Sequence, residues 1–187
     1  MDYFETIKCD DMEVYNLEYH QKRIAKTIGK NVHLLDYIYP PTNKLLKCKV
    51  IYDQDNILDV QFDEYNKRDI KKLKIVYDDY ISYEYKYTNR EQLNYLFSQK
   101  ENADDVIIVK NGFITDTTIA NIAIKIDMQW YTPKKPLLKG TSRQKYIDNG
   151  TLKEKEITID MLKKAQEVAL LNAMIDFDII KDIKILF

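Results

Sequence analysis

Short runs of alternating apolar and polar residues in the first part of the chain predict strands. The run "FETIKCDDMEVYNL" predicts two strands around a turn at Asp10–Met12. In "EYHQKRIAKTIGK", Ile24 and Ile28 have helical spacing, and Gly29 predicts the end of that helix. The runs "KCKVIYD", "ILDVQFDEY" and "IKKLKIVYDDY" predict three strands of an antiparallel meander. Residues 1–82 are therefore expected to form a small N-terminal α+β domain.

The pattern after residue 82 alternates between strands and helices. A helix is predicted from about Asn89 to Gln99, and "DDVIIVKNGFITD" predicts a hairpin that turns at Asn111–Gly112, because Asn-Gly is a strong hairpin signal. The runs "NIAIKID", "QWYTP", "EVALLNAM" and "DIKILF" predict further strands. Short helices are predicted after "LLKGT" and in "TIDMLKKAQ", the second capped by Thr158. Residues 83–187 are expected to form a larger C-terminal α/β domain.

Composition excludes several classes of protein. The chain has 187 residues, 45% hydrophobic and 32% charged, which is ordinary for globular domains. Its net charge of −1 gives no electrostatic case for binding nucleic acid or a membrane surface. No apolar run approaches the roughly 20 residues of a spanning helix. Cys9 and Cys48 suggest neither a disulfide framework nor a metal site, so a reduced, cytoplasmic protein is expected.

Candidate chemistry is concentrated around Lys86. His20 and His33 are the only histidines, and neither lies near a cysteine pair, so a zinc site or a Ser-His-Asp triad is not indicated. Lys86 lies where the strand-like "ISYEY" changes to the helix-like "NREQLNYLF". It is followed by "ITDTTIAN", "KGTSRQ" and "LLNAM".

Five segments in register resemble the class IV aminotransferases, the fold-type-IV pyridoxal phosphate enzymes. They are "FETIK…YNLEYHQKRI", "YKYTNREQL", "VKNGFITDTTIANI", "YTPKKPLLKGTSRQ" and "EVALLNAM", and together they span nearly the whole chain. The resemblance implies a two-domain α+β fold like that of D-amino acid aminotransferase. It also implies a pyridoxal 5'-phosphate (PLP) cofactor and a homodimer with each active site near the subunit interface.

The resemblance assigns site roles by matched position. The catalytic residue is Lys86, which attaches covalently to the cofactor, and its pKa must be lowered for it to act as a nucleophile at neutral pH. The other residues matched to cofactor binding are Arg23, Asp116, Asn121, Gly140, Thr141, Ser142, Asn172 and Ala173. Arg23 and the Gly140–Ser142 turn match the phosphate site, where a guanidinium and a helix N-terminus suit an anion. Asn172 and Ala173 match the strand end that closes this site.

Two departures from the family pattern bear on the site. Asp116 stands where relatives have glutamate, whose carboxylate pairs with the pyridine nitrogen and makes the ring an electron sink. Aspartate is one methylene shorter, so the strand sits closer, a water bridges the gap, or the pairing is weaker. The chain also begins at "MDYFETI", some twenty residues later than relatives. We therefore expect a shortened N-terminus and an altered substrate pocket.

The residues after Lys86 favour one activity within the family. The pattern formed by Lys86, Asn89 and Arg90 resembles that of aminodeoxychorismate lyases. Branched-chain aminotransferases usually have a tyrosine at the position of Glu91. The first hypothesis is a lyase of folate biosynthesis that forms 4-aminobenzoate and pyruvate, with Lys86 as nucleophile and general base. Two alternatives remain: an aminotransferase for branched-chain or D-amino acids, and a PLP-binding protein that has lost catalysis.

Overall fold

The computed structural model describes residues 1–187, which divide into two units. Unit 1 comprises Met1–Lys67 and Tyr85–Asn89, and unit 2 comprises Arg68–Glu84 and Arg90–Phe187. The sequence predicted a boundary between residues 82 and 83. In the structure the chain enters unit 2 earlier and then returns to unit 1 for one short segment. That segment carries Lys86, which was predicted to lie in the C-terminal domain.

Unit 1 is a four-stranded antiparallel sheet with a helix packed against one face. Its elements are β1 (Tyr3–Asp10), β2 (Glu13–Val14), α1 (Leu17–Ile28), a 3₁₀ turn (Leu34–Asp36), β3 (Leu46–Tyr52) and β4 (Ile57–Glu64). The strand order is β2-β1-β3-β4. Alternate residues of β1 and β3 point inward, as the period of a strand requires, and pack against Ile24 and Ile28 of α1.

Unit 2 is built on a larger mixed sheet. Its elements are β5 (Lys72–Tyr77), α2 (Glu91–Ser98), β6 (Asp105–Lys110), β7 (Phe113–Thr117), β8 (Asn121–Ile126), β9 (Gln129–Pro133), α3 (Thr141–Asp148), β10 (Leu152–Lys155), α4 (Ile159–Lys163), β11 (Glu167–Asn172), β12 (Asp176–Ile179) and β13 (Lys184–Leu186). The order is β10-β9-β8-β7-β6-β5-β13, and β11 pairs with both β8 and β12. The central strand β6 is buried along both faces, which explains its unbroken apolar run "VIIV".

The predicted three-strand meander is wrong in its last strand. β3 and β4 do pair antiparallel, but β5 pairs parallel with β6 and β13 in the sheet of unit 2. The run "KLKIVY" has strand character in either location. Because its partners lie far away in the chain, the local pattern does not identify them.

The local turn and cap predictions are confirmed. Gly29 ends α1 with a φ of 72°, a left-handed conformation that glycine adopts without steric cost. Asn111 and Gly112 form the turn between β6 and β7, with φ values of 51° and 81°. Thr158 caps α4 by accepting a hydrogen bond from the backbone N–H of Met161 at 3.3 Å. No helix has the combination of length and apolarity needed to cross a membrane.

Candidate active site

The carboxyl group of Asp116 lies at the centre of a buried polar cluster in unit 2. Asp116 is on β7, and Asn121, at the start of β8, donates its side-chain N–H to Oδ1 of Asp116 at 2.7 Å. The backbone N–H of Leu138 donates to Oδ2 at 2.9 Å. Asn121 also donates to the carbonyl of Leu138 at 2.8 Å. The β7–β8 turn thus holds both the carboxyl group and the segment that leads to α3.

Gly140 is required by the close approach of Asn121. A Cβ atom at position 140 would lie 2.0 Å from Oδ1 of Asn121, which is inside van der Waals contact. The backbone at Gly140 is extended, with a φ of −68°, so sterics and not backbone conformation exclude a side chain. The sequence motif "KGTSR" therefore has glycine where the chain passes against the Asp116 cluster.

Burial perturbs the titration of Asp116. Removal from water raises the pKa of its carboxyl group to about 6, although the hydrogen bonds from Leu138 and Asn121 act in the opposite direction. A cationic N–H group beside Asp116 would stabilise the ionised carboxylate further. The carboxyl group is therefore suited to pair with a protonated ring nitrogen.

The N-terminus of α3 adjoins this cluster. Thr141 and Ser142 are buried in its first turn, where backbone N–H groups have no acceptor inside the helix. The hydroxyl of Ser142 donates to the carbonyl of Asn172 at 2.9 Å, and Ala173 follows in the turn after β11. A hydroxyl group has only one hydrogen. While Ser142 donates that hydrogen to Asn172, it can bind an anion only through its backbone N–H.

Arg143 braces the same helix from inside unit 2. Its side chain is 1% exposed and donates to the carbonyl of Pro133 at 2.8 Å and to Glu154 at 2.6 Å. These bonds tie α3 to β9 and β10. Arg143 therefore has a structural role at the start of α3.

Arg90 and Asp105 also hold the β7–β8 turn. Arg90 donates to the carbonyl of Thr118 at 2.7 Å, and the Thr118 hydroxyl donates to Asp105 at 2.6 Å. Burial raises the pKa of Asp105, and its Oδ2 has no hydrogen-bond partner. Arg90, whose position after Lys86 favoured a lyase, thus stabilises the turn that carries Asp116 and Asn121.

In unit 1, Arg23 pairs with a buried carboxylate. Glu5 on β1 accepts hydrogen bonds from Nε of Arg23 at 2.8 Å and from its Nη2, and from Nδ1 of His20 at 2.6 Å. Burial by itself would raise the pKa of Glu5, but the charge of Arg23 and the bond from His20 lower it to about 2. Glu5 is therefore ionised throughout the neutral range.

Lys86 is paired through its backbone with the N-terminal strand of unit 1. Its carbonyl accepts from the N–H of Phe4 at 2.9 Å, and Nζ lies 4.4 Å from the centre of the Phe4 ring. Burial lowers the pKa of His20, and the charges of Arg23 and Lys86 add to this lowering against the opposing effect of Glu5. Arg23 and Lys86 therefore both lie close enough to His20 to act on it.

The roles of Glu5 and His20 were not predicted from the sequence. A signal was available, because Glu5 occupies an inward position of β1 in phase with Ile7 and Cys9. His20 likewise precedes Ile24 by four residues on the buried face of α1. A polar residue in an apolar stripe is a candidate for a buried network.

The chemistry of these groups fits PLP. Unit 2 presents a buried carboxyl group for a ring nitrogen and a helix N-terminus for a phosphate. Unit 1 presents a guanidinium held on a carboxylate and a half-buried lysine. The roles of the individual residues toward the cofactor stay predictions.

The sequence is similar to a known protein family and to an individual known protein. A family model described as amino-transferase class IV matches residues 68–183. An uncharacterized protein of Haemophilus influenzae is 32% identical over an alignment of 182 residues, and the match covers 91% of this chain and 96% of that protein.

Two solved structures show the same fold. One, from Haemophilus somnus, is named "putative 4-amino-4-deoxychorismate lyase"; it has 30% identity and a TM-score of 0.86, over 92% of this chain and 96% of that one. The other is a fold IV-transaminase from Curtobacterium pusillum, with 19% identity and a TM-score of 0.74, over 100% of this chain and 81% of that one. These matches confirm the predicted fold class.

Proposed function

Because the chain belongs to the class IV aminotransferase family, we propose that it is a PLP-dependent aminodeoxychorismate lyase. It would convert 4-amino-4-deoxychorismate to 4-aminobenzoate and pyruvate. The similarity over nearly the full length to the Haemophilus somnus protein, whose name gives that activity, is the observation that carries the choice of reaction. Asn89 and Arg90 after Lys86 support it.

In the proposed cofactor site, different residues bind the phosphate and the pyridine ring. Arg23, the turn Gly140–Ser142 and the end of β11 at Asn172 and Ala173 hold the phosphate. Asp116, supported by Asn121, accepts a hydrogen bond from the pyridine N–H and keeps that nitrogen protonated. When bound, PLP supplies an electron sink for the electron pair left when a substrate carbon loses its proton.

Lys86 has two tasks in this proposal. Its Nζ would hold the cofactor covalently until the amine of the substrate takes its place, and the freed lysine amine would then remove the proton from the amine-bearing carbon of the substrate. The bond between the adjacent ring carbon and the ether oxygen of the enolpyruvyl group would break next, and the six-membered ring would become aromatic. The departing enolate would regain the proton that Lys86 removed and would tautomerise to pyruvate.

The cofactor proposal can be tested with two lysines whose Nζ atoms lie over the same side chain, the ring of Phe4. Nζ of Lys49 also lies over Phe4, 5.4 Å from the ring centre, so Lys49→Ala is a matched control for Lys86→Ala. The wild-type protein and Lys49→Ala should be yellow with PLP and should retain it covalently after borohydride reduction. Lys86→Ala should not. A wild-type protein that takes up no PLP would refute the proposal.

A second assay separates the lyase from the runner-up. We expect the wild-type enzyme to release 4-aminobenzoate from 4-amino-4-deoxychorismate, detected by its fluorescence. Transfer of an amino group from branched-chain or D-amino acids to a 2-oxoacid, without any 4-aminobenzoate, would instead identify an aminotransferase. PLP binding with neither activity would favour a protein that has lost catalysis.

A further inference from the structure

Glu5 is a fully buried carboxylate that connects β1 to two residues of α1. Its Oε1 accepts from Nε of Arg23, and its Oε2 accepts from both Nη2 of Arg23 and Nδ1 of His20. His20 and Arg23 are three residues apart, so they lie on one face of the helix. The carboxylate thus meets the edge of one guanidinium and one imidazole.

The charges of this cluster cancel. The pKa of Glu5 is about 2, so its carboxylate is ionised and balances the charge of Arg23. Burial lowers the pKa of His20, and because an ionised carboxylate can only accept, the hydrogen of the neutral ring lies on Nδ1. Glu5 therefore reduces the positive charge that Arg23 offers to an anion. If Arg23 bound phosphate by its charge alone, the affinity for phosphate would be higher without Glu5.

The pairing with Glu5 instead fixes the orientation of the Arg23 guanidinium. A guanidinium is planar and has five N–H donors in fixed directions, and Glu5 uses two of them, one on Nε and one on Nη2. Pairing along one edge fixes the plane and hence the directions of the three donors that Glu5 does not use. Because a long side chain loses rotamer freedom when it binds, an arginine that is already fixed binds a rigid anion more tightly.

We infer that Glu5 is a positioning residue that fixes Arg23 for recognition of the cofactor phosphate, with His20 fixing Glu5 in turn. This inference rests on the proposed function, in which Arg23 holds that phosphate. The ligand group concerned is a phosphate monoester, and pyridoxal, which lacks it, serves as the reference compound.

Two variants of Glu5 separate positioning from charge. Glu5→Gln keeps the shape and removes the charge, and Glu5→Asp keeps the charge and shortens the reach. Glu18→Gln is the control, because Glu18 lies on the same helix, exposed and paired with Lys22. For each purified apoprotein, the dissociation constants of PLP and of pyridoxal would be measured by absorbance. Their ratio isolates the contribution of the phosphate.

If Glu5 positions Arg23, the preference for PLP over pyridoxal, given by the ratio of their dissociation constants, should fall roughly tenfold in both Glu5 variants. A loss of this size is expected when charge-assisted hydrogen bonds are lost. The preference should be unchanged in Glu18→Gln. A charge effect alone would raise the preference in Glu5→Gln and leave it unaltered in Glu5→Asp. An unchanged or raised preference in Glu5→Gln would therefore overturn the inference.

The remaining outcomes are also decisive. If Glu5→Gln does not fold, the same criterion applies to Glu5→Asp, with circular dichroism as the check of folding. If neither folds even with saturating PLP, Glu5 is a folding residue and the positioning role is rejected. A wild-type protein that binds neither compound would refute the proposed function instead, which keeps the two failures distinct.

Discussion

Asn121 donates a hydrogen bond of 2.7 Å to Asp116 across the β7–β8 turn, and both side chains are buried. The same amide group donates to the carbonyl of Leu138 at 2.8 Å. One side chain thus fixes the carboxyl group and the segment before α3 together.

Replacing Asn121 with alanine should loosen the Asp116 carboxyl group. The change leaves Oδ1 of Asp116 and the carbonyl of Leu138 each without a buried donor, so we expect a loss of about 1–3 kcal/mol in the free energy of unfolding. The pKa of Asp116 should also rise, because the lost bond favours the ionised form. Urea denaturation at pH 7 measures the first effect. Asn94→Ala on the exposed face of α2 is the control and should change stability by less than about 0.5 kcal/mol.

Gly140→Ala should disturb the site through Asn121. The added methyl group would lie 2.0 Å from Oδ1 of Asn121, and relieving that overlap should cost about 1–3 kcal/mol and weaken PLP binding. Gly150→Ala is a useful comparison, since its φ of 81° makes alanine strained while nothing lies within 4 Å of the new Cβ. It should cost about 1 kcal/mol through the backbone alone. Equal PLP affinities of the two variants would contradict this account.

The titration of Asp116 should be visible in the pH dependence of stability. Burial raises its pKa from 3.8 to about 6, so the folded protein binds this proton more tightly than the unfolded chain does. The free energy of unfolding of the apoprotein should therefore fall by up to about 3 kcal/mol from this group as the pH rises from about 4 to above 6. Asp116→Asn removes the titrating group. The difference between the two stability curves should consequently change across this range, and a constant difference would show that the pKa is not raised.

Glu154→Gln tests the brace on α3. Glu154 is the carboxylate partner of Arg143, which is 1% exposed, whereas Glu156 pairs with Lys135 at the surface. Glu154 is itself 43% exposed, so water offsets part of the loss, and we expect a cost of roughly 1–3 kcal/mol. Glu156→Gln makes the same chemical change two residues away and should cost less than about 0.5 kcal/mol. Thermal unfolding of both variants makes the comparison, and equal costs would refute a bracing role for Arg143.

The five motifs predicted the family and the fold class, and both are confirmed. The residue assignments at the site were also made from those motifs, and they remain to be tested by experiment. The structure adds the means by which some of these residues are held: Glu5 on Arg23, Asn121 on Asp116, and the close approach that requires glycine at 140. These relationships join segments separated in the chain, so no local pattern reveals them.

By itself, the sequence determined the features that depend on neighbouring residues. Gly29 ends α1 and Asn111–Gly112 turns a hairpin, because left-handed backbone conformations favour those residue types. Tertiary structure alone decided which sheet β5 joins and that Lys86 lies with unit 1, where its carbonyl pairs with Phe4. The physical reason is that a strand pattern specifies which face is buried, whereas its hydrogen-bonding partner is selected by the packing of the whole chain.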